Sequence, residues 1–121
     1  MKLFYTYIIR CKNNTLYTGY TTDIKRRMIE HTQGINCKYT KNNGFDRLEI
    51  YFESMSKKTA MKLECYIKKM TRSKKLKIIE KPNILIDEFF EVKSEQVRIG
   101  TINVDIINNE VKEFKKVINK V

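Results

Sequence analysis

Apolar and polar side chains alternate over residues 3–10, with Leu3, Tyr5, Tyr7 and Ile9 on one side and Phe4, Thr6 and Ile8 on the other. A period of two with apolar groups on both sides predicts a strand covered on both faces. Lys12-Asn13-Asn14-Thr15 is a turn signal, and Leu16-Tyr17-Thr18-Gly19-Tyr20 returns as a second strand, which makes a hairpin. Thr21, Thr22 and Asp23 then supply a helix cap and a first-turn acid, and the helix is expected to run to about Thr32, with Gly34 as its stop. A loop rich in Asn, Lys and Gly follows to Asp46. Residues 47–53 predict a third strand, with Leu48, Ile50 and Phe52 on one face. Ser56 caps a second helix from about Lys57 to Met70, whose buried stripe is Ala60, Leu63, Ile67 and Met70. A shorter helix from about Ser73 to Glu80 ends at Pro82.

The pattern changes after Pro82. Residues 84–92 and 97–107 read as two further strands, because Ile102, Val104 and Ile106 alternate with Asn103 and Asp105. Residues 110–120 predict a closing helix built on Val111, Phe114, Val117 and Ile118. The expectation is an α+β protein with a functional unit at 1–81 and a C-terminal β-β-α extension at 82–121, too small to fold alone.

At 121 residues the chain has room for one core, not two. It has no run near the ~20 apolar residues that a membrane span needs. The apolar N-terminal stretch lacks a small-residue cleavage site and reads as a strand, not a signal peptide. Three cysteines, Cys11, Cys37 and Cys65, are odd in number and form no Cys-x-x-Cys pair. They indicate reduced thiols, and a cytoplasmic or other DNA-containing compartment, nuclear or viral, instead of secretion. The net charge of +11 is unevenly spread: residues 1–53 carry +4, residues 54–81 carry +8 and residues 82–121 carry −1. So dense a local excess is the footprint of a polyanion-binding surface, although a lysine-rich solvated face would look the same.

Within this frame a few polar residues stand out. Arg27 and the only histidine, His31, are one helical turn apart and border the stripe that includes Ile24 and Met28. They can face the sheet, or Arg27 can extend to solvent while His31 sits at a helix end favoured by the dipole. Glu64 falls between positions 60 and 67 on the apolar side of the second helix, where a carboxylate is costly unless it meets a cation or a metal. Its simplest partner is Lys68, four residues on. Tyr5, Tyr7, Tyr17 and Tyr20 cluster on the hairpin, and a chemical role needs one phenol turned toward the helix of Arg27.

In order, Tyr5-Thr6-Tyr7, Leu16-Tyr17-Thr18-Gly19, Thr22-Asp23, Arg26-Arg27, Glu30-His31, Cys37-Lys38-Tyr39-Thr40, Leu63-Glu64 and Ile67-Lys68-Lys69 resemble the GIY-YIG nuclease superfamily, especially its small single-domain, resolvase-like branch. The first signature is degenerate but keeps its tyrosine. The likeness spans two-thirds of the chain. It offers no counterpart of the late asparagine of some members and no account of residues 82–121. It implies a three-stranded antiparallel sheet flanked by helices, and metal-assisted hydrolysis of a DNA phosphodiester. By the same likeness Glu64 holds a single Mg²⁺ or Mn²⁺ ion that keeps water ligands, and Arg27 stabilises the charge gained at phosphorus. Tyr7 activates water, His31 takes or passes the proton, and Tyr17 positions water or phosphate. Arg26, Lys38, Tyr39, Lys68, Lys69 and Arg72 are the nucleic-acid contacts.

Three functions compete. The first is an endonuclease acting on duplex or branched DNA in repair, recombination or mobile-element biology. The second is a nucleic-acid-binding module with little turnover. The third is an interaction module whose near-neutral tail engages a protein partner or forms a homodimer. No membrane is expected as partner.

Overall fold

The computed structural model describes residues 2–119. Strands β1 (Phe4–Arg10), β2 (Leu16–Thr21), β3 (Arg47–Ser54) and β4 (Arg98–Ile99) form one antiparallel sheet in the order β2-β1-β3-β4. The helices are α1 (Ile24–Gln33), α2 (Lys38–Asn43), α3 (Lys57–Lys68), α4 (Arg72–Glu80), α5 (Pro82–Lys93) and α6 (Val104–Asn119). The sheet therefore has four strands where three were expected, within an α+β fold.

Local chemistry sets the helix ends. The Asp23 carboxylate accepts from the Arg26 amide at 3.1 Å to start α1, and Gly34, with φ 66°, closes it in the left-handed region that favours glycine. The Ser56 and Thr71 hydroxyls cap α3 and α4 by accepting from the Thr59 and Lys74 amides. Part of the expected 33–46 loop forms the short helix α2.

The sheet divides two cores. On one face Tyr7, Ile9, Leu48 and Tyr51 pack with Ile24 and Met28 of α1 and with Ile107 and Val111 of α6. On the other, Ile8, Ile50 and Phe52 pack with Leu63 and Ile67 of α3, Ile78 of α4, and Leu85 and Phe89 of α5. The Thr6 hydroxyl donates to the Ala60 carbonyl at 2.8 Å, tying β1 to α3. Leu48 does not share a face with Ile50 and Phe52 as expected. The β1–β3 register shifts so that Ile8 faces Ile50 while Ile9 faces Leu48. Glu49 is the extra residue of a β-bulge, and it turns Leu48 to the side of α1 and α6.

The C-terminal extension is α-β-α and not β-β-α. Residues 84–92 are helical: Leu85 and Phe89, four apart, are the buried pair. Pro82 sits at the first helical turn, where its missing N–H costs nothing. Of residues 97–107 only Arg98 and Ile99 pair as a strand, and Ile102 and Ile106 of the alternating set are exposed. Of the four apolar residues assigned to the closing helix, only Val111 is buried. Residue 120 of that expected helix lies outside the described residues. The Asn108 amide of α6 bonds both backbone groups of Leu48, donating to its carbonyl and accepting from its N–H, each at 2.9 Å.

Candidate active site

Tyr7 lies on the central strand β1 with its ring over Gly19 of β2, its register partner. A methyl group at position 19 would stand 2.5 Å from the Tyr7 hydroxyl, so only glycine leaves room for the phenol. The α1 cap and register then aim Arg27 and His31 at the same hydroxyl. Arg27 Nε donates to Tyr7 Oη at 3.3 Å, and His31 Nε2 lies 2.8 Å from Tyr7 Oη. His31 Nδ1 lies 3.0 Å from Thr40 Oγ1, which donates to the Cys37 carbonyl at 3.4 Å.

The polarity of this chain follows from its ends. Arg27 can only donate, and the Cys37 carbonyl can only accept. With the Nδ1–H tautomer, the Tyr7 proton points to His31 and the His31 proton to Thr40, so every contact is satisfied in one direction. Arg27 is held by further bonds, donating to Glu30 Oε1 at 3.0 Å and to the Asn36 carbonyl at 3.1 Å, while Asn36 donates to the second Glu30 oxygen.

Burial controls the protonation states. It pushes the Tyr7 phenol up to about 12, against the pull of the neighbouring Arg27. It drives the His31 imidazole down to about 4, with Arg27 acting in the same direction. The pair at neutral pH is thus a protonated phenol beside a neutral imidazole. Tyr17, its own phenol raised by burial, stacks on Tyr39 with ring centroids 5.1 Å apart, and Phe45 stacks on His31 at 6.0 Å.

Five of the residues singled out in the sequence, Tyr7, Tyr17, Arg27, His31 and Tyr39, therefore gather on one sheet face. Of the two alternatives noted for the α1 pair, the first holds: both side chains face the sheet, Arg27 is drawn inward to Tyr7 and His31, in the last turn of α1, is 1% exposed. Glu64 is different. Its carboxylate meets Lys68 Nζ at 2.7 Å, the intrahelical pairing that the sequence also allowed. It makes no hydrogen bond to Tyr7 or Arg27, though its negative charge adds to the upward push on the Tyr7 phenol. The α3 side chain is only 18% exposed.

Arg26 is exposed and reaches back to the Thr22 hydroxyl at 3.5 Å. Lys38 and Tyr39 open α2. Lys69, the cap of α3, lines a groove with Lys62, Lys74 and Lys93, and Arg72 is exposed at the start of α4. The sequence reasoning did not find that Thr40 holds the far side of His31, or that Glu30 and Asn36 hold Arg27. Thr40 belongs to the quoted Cys37–Thr40 run, and that was the available signal.

The hairpin, the helix bearing arginine and histidine, and the tyrosine over a glycine lie within one continuous stretch of the chain. The sequence model described as the GIY-YIG catalytic domain matches residues 3–77, and the chain belongs to that family. The UPF0213 protein CPE1444 of Clostridium perfringens is 42% identical over 81 residues, 66% of this chain and 86% of that protein. The UPF0213 protein SH2523 of Staphylococcus haemolyticus is 46% identical over 81 residues, 66% of this chain and 98% of its own length. The solution NMR structure of the UPF0213 protein BH0048 from Bacillus halodurans is 40% identical, covers 64% of this chain and 83% of that one, and superposes with a TM-score of 0.43.

Proposed function

We propose that the protein is a DNA endonuclease that hydrolyses phosphodiester bonds with a divalent ion, Mg²⁺ or Mn²⁺, held by Glu64. The observation that carries this reading is the Tyr7 hydroxyl held between the Arg27 guanidinium and the His31 imidazole. The donor set suits such an ion. Among the described residues no group of three or more His, Cys, Asp or Glu side chains could cage a metal. One carboxylate suits a hard cation that keeps water and phosphate oxygens as its other ligands. When bound, such an ion supplies charge neutralisation and polarises the phosphate.

The chain's own residues do the rest. Arg27 stands where negative charge grows as water oxygen bonds to phosphorus and the P–O bond to the leaving oxygen breaks. The water proton passes to Tyr7, which in turn hands its own proton to His31 Nε2. A phenol near 12 takes up the water proton only as it gives up its own, and the neutral His31 Nε2, 2.8 Å from Tyr7 Oη, is the acceptor within reach. Tyr17 and Tyr39 form an aromatic wall beside the phosphate. Arg26, Lys38, Lys68, Lys69 and Arg72 contact the nucleic acid. Repair, recombination and mobile-element settings all supply duplex or branched DNA of this kind, in a cytoplasmic or other DNA-containing compartment.

Supercoiled plasmid and a panel of flaps, forks and junctions incubated with Mg²⁺ or Mn²⁺ test the reading. Cleavage is expected in the wild type and lost in Glu64→Ala and Tyr7→Phe with DNA binding retained. Equal cleavage by those variants overturns the site. The Glu64–Lys68 pair favours a second reading, a DNA-binding module without turnover, because Lys68 already neutralises the one carboxylate. Binding without cleavage across the whole panel and both ions supports it.

A further inference from the structure

The imidazole of His31 has a second side. Beyond it lies a polar cavity of about 230 Å³ whose lining includes His31, Gly34, Gly44, Lys12, Lys41 and Lys115. The lysines come from three separate places: the β1–β2 turn, α2 and α6. No carboxylate lines this cavity, and among the described residues none of the three ammonium groups is in an ion pair. The Lys12 stem closes in over Gly44, and Lys41 lies in ordinary contact distance of Gly34. A Cβ at Gly44 would come within 2.9 Å of Lys12 Cδ, and one at Gly34 within 3.4 Å of Lys41 Cα. Three lysines with no carboxylate among them line one concave polar site, and an anion bound there meets positive charge from three sides of the chain's fold. The neutral His31 adds a floor that offers no opposing charge.

We infer that this cavity is a phosphate subsite, separate from the position at Tyr7 where the bond would break. The inference rests on the nuclease reading only for naming a DNA strand as one source of the phosphate; a free phosphate is the other. Lys115 lies past residue 77, where the family match ends, so the C-terminal helix contributes a cationic contact from outside the matched segment.

The test is a titration of the ¹⁵N-labelled full-length chain, without divalent ions and at constant chloride, so that binding is read independently of cleavage. One arm uses inorganic phosphate and the other a short single-stranded oligonucleotide without terminal phosphates. Saturable shifts are expected at the amides of Gly34, Thr40 and Gly44. In the Lys12→Ala/Lys41→Ala/Lys115→Ala variant the affinity is expected to fall about tenfold or more. All three lysines are exposed, and an unchanged thermal midpoint confirms that the variant is folded. Lys115→Gln alone is expected to weaken binding about threefold. Shifts with the oligonucleotide assign the site to a strand, and shifts with phosphate alone assign it to a free phosphate. No saturable shift at these amides with either probe, or equal affinity in the lysine variants, overturns the subsite. A protein that binds here but never cuts DNA retains the subsite and loses only the nuclease reading.

Discussion

At the scale of single residues, two positions decide how the tyrosine site is built. Gly19 has no side chain because the Tyr7 phenol occupies that space. Gly19→Ala is expected to destabilise the fold by about 1–3 kcal/mol, as overpacking does, and to push the phenol off Arg27 and His31. Under the proposed nuclease function, single-turnover cleavage is then expected to fall much further than DNA affinity. His31 makes a different prediction. Its imidazole is buried neutral, with a folded pKa of about 4 against an ordinary 6.5. The unfolded chain therefore takes up a proton before the native protein does. The stability from this group is complete above pH 6.5 and is lost as pH falls toward 4. The full loss is on the order of 3 kcal/mol. Thermal or urea midpoints measured across that window should decline in the wild type, and His31→Gln should flatten the slope. As the chain's only histidine, it has no other imidazole to share that signal.

At the scale of elements, helix α5 is the clearest case for a decisive substitution. Phe89 is fully buried against Leu63, Ile67 and Ile78, and Phe89→Ala is expected to cost about 3–5 kcal/mol, readable by chemical denaturation. The same helix shows where the sequence was legible and where it was not. The hairpin announced itself through alternation and a turn signal, and α1 and α3 through capping side chains, which the structure places at Asp23 and Ser56. The Thr71 cap that starts α4 at Arg72, ahead of the expected Ser73, was not read. In residues 84–92 the acids Asp87, Glu88 and Glu91 share one side of a helix opposite Leu85 and Phe89, a helical period that the strand reading passed over. The same i, i+4 pair, Leu85 and Phe89, is what the core shared with α3 and α4 buries. The exposed alternation at Ile102 and Ile106 imitated a strand that no partner completes. Leu48 was misplaced because a bulge is a property of two strands and cannot be read from one. In the site, Arg27 and His31 were legible as a pair on one helix face by spacing, and Tyr7 was singled out among the hairpin tyrosines by the family resemblance. Thr40, Glu30 and Asn36 were not, because their roles exist only once α1 and α2 meet.

At the scale of the whole molecule, both cores are completed by residues beyond the family match. Leu85 and Phe89 close one face of the sheet, and Ile107 and Val111 close the other. The Staphylococcus haemolyticus relative aligns over 98% of its length with 81 residues of this chain. A truncation after Lys81 nonetheless uncovers two apolar faces that this chain buries. At about 1.5–3 kcal/mol for each lost large side chain, the cut is expected to remove most of a domain's stability. Circular dichroism melts and light scattering of the shortened chain check this: a lowered, broadened transition and self-association are expected, and an unchanged midpoint refutes it. One contact of α6 reaches further. Asn108 engages the backbone of Leu48 as a neighbouring strand would, and β4 pairs with Phe52 and Glu53 just beyond. That flank of the sheet is thereby closed to pairing with other chains, a common route to fibrous aggregation. The opposite margin, β2, ends the strand order and carries Tyr17 and Gly19. Among the described residues β2 has a strand partner on one side alone, so its outer ladder of backbone donors and acceptors runs beside Tyr17, the tyrosine proposed to meet phosphate.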